Sequence, residues 1–126
     1  MELSQFFKSI IDQDRCSVVI CGLDHTILYM NKAAAENYKK RGGKELEGKS
    51  LFNCHNEESC EKIEKVLDWF NQSVENNIIY TYRNEKENKD VYMVALREDS
   101  GKLIGYYEKH EYRNIEKAKT YDFENA

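Results

Sequence analysis

Residues 18–52 read VVICGLDHTILYMNKAAAENYKKRGGKELEGKSLF, and the order of parts in this stretch decides the fold. A short apolar run ends at Gly22, a polar turn follows at Asp24 and His25, and a second apolar run covers Thr26 to Met30. Two apolar runs across a polar turn predict a strand hairpin. Asn31 is a good helix N-cap, because its side-chain oxygen can accept from the free amides of a first turn. Ala33, Ala34 and Ala35 then let a short helix press close to the sheet. Gly42 and Gly43 supply the left-handed geometry that ends it. Glu45 to Phe52 is expected to be irregular or a single helical turn.

Outward from this stretch, Leu3, Phe6, Phe7, Ile10 and Ile11 fall at helical spacing and give a short N-terminal helix one apolar stripe. So short a helix is marginal alone, so its stripe must either cover its own sheet or meet the same helix of a second copy. Cys60, Ile63, Val66, Leu67, Phe70 and Val74 repeat at i, i+3, i+4 spacing and predict a long amphipathic helix. Asn56 is its N-cap, Glu57 and Glu58 suit its dipole, and Asn76 and Asn77 are expected to stop it. Three strands follow, at Ile78 to Arg83, Asp90 to Leu96 and Lys102 to Tyr112, the last two joined by a hairpin turn ending at Gly101. The fold class is α+β: a five-stranded antiparallel sheet with helices packed on one face and an N-terminal flanking helix.

The 126 residues are enough for one core. A hydrophobic fraction of 40% and a charged fraction of 33% suit a soluble globular protein. A net charge of −4 argues against a nucleic-acid partner. No signal peptide is seen, and no apolar run approaches the roughly 18 residues that span a bilayer, so a cytoplasmic location without membrane contact is expected. The four cysteines, Cys16, Cys21, Cys54 and Cys60, are therefore not read as disulfides. Cys16 and Cys21 are expected to be small buried hydrophobes. With no Pro and little Gly there is no sign of a linker or second domain.

The order of elements resembles that of PAS domains over roughly residues 15–113. A "D…I.Y.N.A" segment (Asp24, Ile27, Tyr29, Asn31, Ala33) leads to a "GKS" element at residues 48–50. The run from Phe52 to Cys60, FNCHNEESC, resembles the "CH…S" segment of a bacterial PAS subgroup found in DUF438-type proteins. Residues 94–108, VALREDSGKLIGYYE, resemble the "R.D..G.Y.G..E" hairpin of that subgroup. The subgroup usually has Pro after the His, where this chain has Asn56. The resemblance divides the chain into a flanking helix (1–14), a PAS domain (15–113) and a C-terminal tail (114–126). It implies a sensory and signalling module and not an enzyme. No nucleotide loop, metal-binding His/carboxylate motif or nucleophile elbow is present.

Cys54 and His55 are the sharpest local candidates. An imidazole at a helix start facing a half-apolar pocket suits an axial haem ligand, and haem-binding PAS domains use a histidine on or near this helix. His55 is thus a metal ligand only if haem iron is bound. Zinc on Cys54, His55 and Cys60 is a second reading, with spacings unlike common structural sites and no evident fourth ligand. A redox-sensing thiol with a lowered pKa at the helix end is a third, and simple packing of the corner a fourth. The light-sensing flavin motif is missing, so flavin is not expected. Trp69 lies at the edge of the apolar stripe and Tyr106 on the last strand, and both join the cofactor-binding candidates. Tyr106 and its neighbour Tyr107 must face opposite sides of the sheet. His25, where PAS domains often carry Gly, and His110 are expected at the surface. Arg97 and Glu108 would face each other across a tight last hairpin, as a surface ion pair or a gate for a polar ligand.

These readings give a homodimeric sensor that binds a small-molecule ligand or cofactor of unknown identity and signals through dimer or partner-protein contacts. The alternative is a ligand-free scaffold for dimerisation or docking to a signalling protein. A sensor should hold a cavity of at least ~300 Å³, and a scaffold should be filled with side chains.

Overall fold

The structure, a computed structural model, describes residues 2–123. Met1 of the flanking helix and the last three residues of the tail lie outside them. The hairpin closes as its sequence demands: the Asp24 carboxylate accepts from the Thr26 amide at 3.0 Å, and the Gly22 amide donates to the Thr26 carbonyl at 3.0 Å. Five strands result, β1 (Val18–Gly22), β2 (Ile27–Met30), β3 (Ile78–Asn84), β4 (Lys89–Arg97) and β5 (Leu103–Tyr112). They lie in the order β2-β1-β5-β4-β3 with every pair antiparallel. A side chain at Gly105 would clash with the Cys21 carbonyl, so β1 and β5 meet here only because residue 105 has none. The "GKS" segment runs alongside β2, where the Ile27 amide donates to Lys49 at 2.8 Å and the Gly48 amide to Ile27 at 2.8 Å.

Three α-helices complete the domain, α1 (Leu3–Gln13), α2 (Lys32–Asn37) and α3 (Glu57–Gln72). Asn31 caps α2 as expected, but that helix is shorter than the sequence suggests. After Asn37 the chain tightens into two 3₁₀ turns, Lys39–Arg41 and Gly43–Leu46, with Gly42 and Gly43 both at positive φ. In α3, Asn56 accepts from the Ser59 amide at 2.8 Å, and Ile63, Val66, Leu67 and Phe70 are buried against the sheet. The core joins these to Val19, Ile27, Met30, Leu51, Met93 and Tyr106.

The end of α3 departs from expectation. The helix stops at Gln72, and Val74 is exposed. Arg97 sets this boundary: its Nη2 donates to the carbonyls of Phe70 at 2.7 Å, Ser73 at 3.1 Å and Asn76 at 3.1 Å, and its Nε to Asn77 at 2.7 Å. Arg97 therefore does not face Glu108. The turn is tight, with Glu98 and Lys102 bonded at 2.9 Å, and it pairs Arg97 with Leu103 and Met93 with Glu108; only a much longer loop could set Arg97 opposite Glu108.

α1 buries no residue, and Leu3, Phe6, Phe7 and Ile10 are exposed, so they do not cover their own sheet. The helix is tied near its C-terminal end, where Tyr29 donates to Asp12 and Asn31 donates to the Ile11 carbonyl at 3.0 Å. Among the described residues no helix is long and apolar enough to cross a membrane.

Asn31 is the junction of α1, β1 and α2. Its Oδ1 accepts from Val18 at 3.0 Å and Ala34 at 2.9 Å, and its Nδ2 donates to Ile11, Asp14 and Cys16. Replacing it with alanine strands buried partners, each costing roughly 1–3 kcal/mol. Urea denaturation of Asn31→Ala should therefore show a loss of more than about 3 kcal/mol; a loss typical of a surface cap, about 1 kcal/mol, would show that the junction does not hold.

Candidate functional site

The inner face of the sheet and α3 enclose a cavity of about 270 Å³. Ile63 from α3 and Val91 and Met93 from β4 form its apolar wall, and Ser59, Lys62, Thr81 and Tyr82 line its rim. Lys62 donates to the Thr81 carbonyl, which holds that cation across the rim between α3 and β3. Tyr38, His55, Glu108 and His110 gather at the deep end.

Glu108 and His110 reach this end because both point inward from β5, two residues apart, on the face that also carries Tyr106. His110 is buried and not at the surface; an alternating strand gives it the same face as Tyr106. Its Nε2 donates to Glu108 Oε1 at 2.9 Å, and the Tyr38 hydroxyl reaches the same oxygen at 3.4 Å. Among the described residues its Nδ1 is buried with no hydrogen-bond partner, as is the hydroxyl of Ser17, whose carbonyl accepts from the His110 amide at 3.0 Å. His55 Nδ1 donates to the Leu51 carbonyl at 3.1 Å, which turns Nε2 towards Glu108 Oε2, 3.9 Å away.

Burial drives the Glu108 pKa upward, yet the bond and charge of His110, the charge of His55 and the Tyr38 hydroxyl outweigh it. The carboxyl ends below its ordinary 4.5 and is ionised at neutral pH. Burial, followed by the Glu108 charge, pushes the Tyr38 hydroxyl far up, so it stays a donor.

His25 builds a second polar chain on the other side of Phe52. It is buried, not exposed: a positive φ of 69° turns the residue into the left-handed region and directs its ring inward. The ring stacks on Phe52 with centroids 4.1 Å apart. Nε2 meets the Glu64 carboxylate at 3.0 Å, and Nδ1 the Tyr106 hydroxyl at 2.8 Å. Because a carboxylate only accepts, Nε2 carries the proton and Nδ1 accepts from Tyr106. Tyr106 in turn meets the thiol of Cys21, which burial pushes up to about 12 and so keeps protonated. The chain runs from the core to the exposed Glu64 on α3.

Of the four cofactor-binding candidates named from sequence, His55 lines the cavity and Cys54, Trp69 and Tyr106 do not. Cys54 sits in the 3₁₀ turn Leu51–Cys54, short of the helix start, and packs against the core. Burial pushes its thiol up, partly opposed by Arg41, so it lacks the lowered pKa expected of a redox sensor at a helix end. Trp69 packs beside Phe70 with ring centroids 5.8 Å apart, and Tyr106 is spent on His25. Cys21 is buried as expected, and Cys16 is only half-buried. Sequence reading missed Tyr38, and missed Glu108 as a cavity residue. For Glu108 the signal was the alternation along β5.

The residues do not fit haem. The ring nitrogen that would hold iron is faced by a carboxylate 3.9 Å away. A cavity of about 270 Å³ also falls below the ~300–1,000 Å³ of drug-sized sites. Nor do Cys54, His55 and Cys60 form a zinc site: among the described residues no three His, Cys, Asp or Glu side chains are placed to hold a metal ion.

The sequence matches the family described as PAS domain over residues 15–108, and the chain belongs to that family. Its fold is similar to the PAS domain of a protein from Colwellia psychrerythraea, at 13% identity and a TM-score of 0.61, covering 87% of this chain and 96% of that one. It is also similar to a C-terminal domain from Streptococcus mutans, at 19% identity and a TM-score of 0.63, covering 88% and 84%. A third likeness is to the Aer2 receptor from Vibrio cholerae, described as a dual PAS-heme oxygen sensor, at 15% identity and a TM-score of 0.53, covering 75% and 91%. No curated protein matches the sequence.

The pH dependence of stability should report the Glu108 cluster. A carboxyl held below 4.5 in the folded state contributes stability above that pH and loses it as pH falls through the lowered value. Urea midpoints of the wild-type chain should thus fall more steeply below pH 4.5 than those of Glu108→Gln, whose side chain does not titrate. Parallel curves would remove Glu108 as the source of acid sensitivity.

Proposed function

We infer that this PAS domain is a sensor whose residues 15–113 hold a small organic ligand in the cavity between α3 and the sheet. Sensory and signalling proteins are the usual setting of the family. The observation that carries the reading is the cavity itself, with an apolar wall and a few convergent polar groups at its deep end, as small-molecule sites generally have. Its volume of about 270 Å³ falls short of the ~300 Å³ expected of a sensor, which restricts the ligand to a fragment-sized molecule and gives weight to the scaffold alternative. The four free cysteines suit a reducing, cytoplasmic setting.

Output runs through α1 and a homodimer. Four exposed apolar residues on one short helix are an unfilled half of an interface. Ile10 and Ile11 also line a groove of about 320 Å³ against Ile20, Leu96 and Tyr107 on the outer face of the sheet. A ligand shifts such a dimer only by binding one arrangement more tightly than another. The tail from residue 114 offers a second route to a signalling partner. The same exposed stripe favours the alternative, a scaffold that dimerises without any ligand.

Two measurements separate these readings. Light scattering should give a dimer that Phe6→Glu with Phe7→Glu converts to a monomer; a wild-type monomer at high concentration removes the dimer from both. A fragment library screened by amide NMR shifts should give hits that move Ile63, Val91 and Met93, and that Ser59→Trp at the rim abolishes. A dimer with no cavity hits supports the scaffold.

A further inference from the structure

The deep end of the cavity is not neutral in its hydrogen-bonding demand. Glu108 Oε1 already accepts from His110 and Tyr38, at 2.9 and 3.4 Å. Its other oxygen, Oε2, has His55 Nε2 as its near neighbour, at 3.9 Å, beyond hydrogen-bond reach. His55 Nδ1 donates to the Leu51 carbonyl, so in the singly protonated ring the lone pair lies at Nε2. In that tautomer two acceptors stand side by side at the deep end, one of them a carboxylate oxygen. Glu108 Oε2 faces the cavity with His55 beyond hydrogen-bond reach, so its donor comes from what fills the cavity. The group that completes this end must donate hydrogen atoms and is favoured if it carries positive charge.

Resting on the ligand-sensor reading above, we propose that the cavity recognises a small organic molecule with an amino or amidino group, which donates to Glu108 Oε2 and His55 Nε2 while its apolar body lies on Ile63, Val91 and Met93. The rim cation, Lys62, keeps its charge but is held on the Thr81 carbonyl between α3 and β3, so it sits at the rim and the Glu108 carboxylate at the deep end. Tyr38 and His110 act as positioning residues: their bonds to Oε1 fix the carboxylate so that Oε2 faces the cavity. A carboxylate ligand meets the reverse situation, with its charge set against that of Glu108.

The test compares three probes of nearly one shape, benzamidine, benzamide and benzoate, by amide shift titration of the full chain. Benzamidine should bind tightest and benzoate weakest, with shifts at Ile63, Val91 and Met93. Glu108→Gln should weaken benzamidine about tenfold or more, the usual worth of a hydrogen bond to a charged group, and leave benzamide nearly unchanged. His55→Ala, on the half-buried wall, gives the same test if Glu108→Gln does not fold, and should weaken benzamidine too. Benzoate binding best, or benzamidine indifferent to both variants, overturns the proposal while leaving a ligand-binding cavity in place. So does silence from all three probes when library fragments still bind there. Silence from the probes and the library together overturns the ligand-sensor reading as well.

Discussion

A single side-chain amide, that of Asn31, is the constraint on which the arrangement depends. Fully buried, it receives two backbone amides on its oxygen and offers its nitrogen to three carbonyls. Those backbone groups belong to the end of α1, the start of β1 and the first turn of α2, where helix and sheet leave groups to be paired by side chains. Aspartate would lack the donors and alanine would lack everything. With Asn31 in place, β1 enters the sheet between β2 and β5, and α2 starts directly after β2. The loop that carries His55 then packs on the far side of the core.

The structure handles ionisable groups in its interior by arranging them in chains. Glu108 is kept charged in a buried place by imidazole and phenol partners, the condition under which a buried charge is tolerable. The Cys21–Tyr106–His25–Glu64 chain solves a different problem: it leads polar contacts out of the core to an exposed carboxylate, so that the buried Tyr106 hydroxyl is matched. Both chains touch α3 or the loop just before it. The position of that helix is thus fixed by polar geometry at the cavity and at Glu64, and by apolar packing between them.

Order, periodicity and capping residues were enough to read the sheet, its turns and α3 from sequence, because each is a local preference that the global fold repeats. Asn56 and Asn31 cap where the pattern places them. What was missed follows from nonlocal pairing. Assigning His110 to the surface weighed its charged neighbours in sequence, whereas the strand's alternation, used there only to set Tyr106 and Tyr107 on opposite sides, carries Tyr106, Glu108 and His110 to one face. His25 was read as an exposed turn residue because an inward ring there requires a backbone conformation rare outside glycine. A tight last turn pairs Arg97 with Leu103 and so already excludes Glu108, and the contact of Arg97 with the end of α3 is a tertiary one that strand spacing does not show. Tyr38 gave no local signal, since its hydroxyl acts only through a carboxylate 70 positions away.

The way α1 is fastened gives it a mechanical character. Its tertiary bonds fall at Ile11, Asp12 and just beyond, at Asp14, while Leu3 and Phe6 stand free at the other end. It is in effect a cantilever, eleven residues or about 16 Å long. A tilt of about 10° at the fixed end, small enough to leave the Asn31 bonds intact, carries the tip through about 3 Å. The fixture is also the entry to β1, an inner strand paired on both sides. A slight twist of that strand, too small to notice in the core, would emerge at the tip as a displacement comparable to the distance between neighbouring side chains.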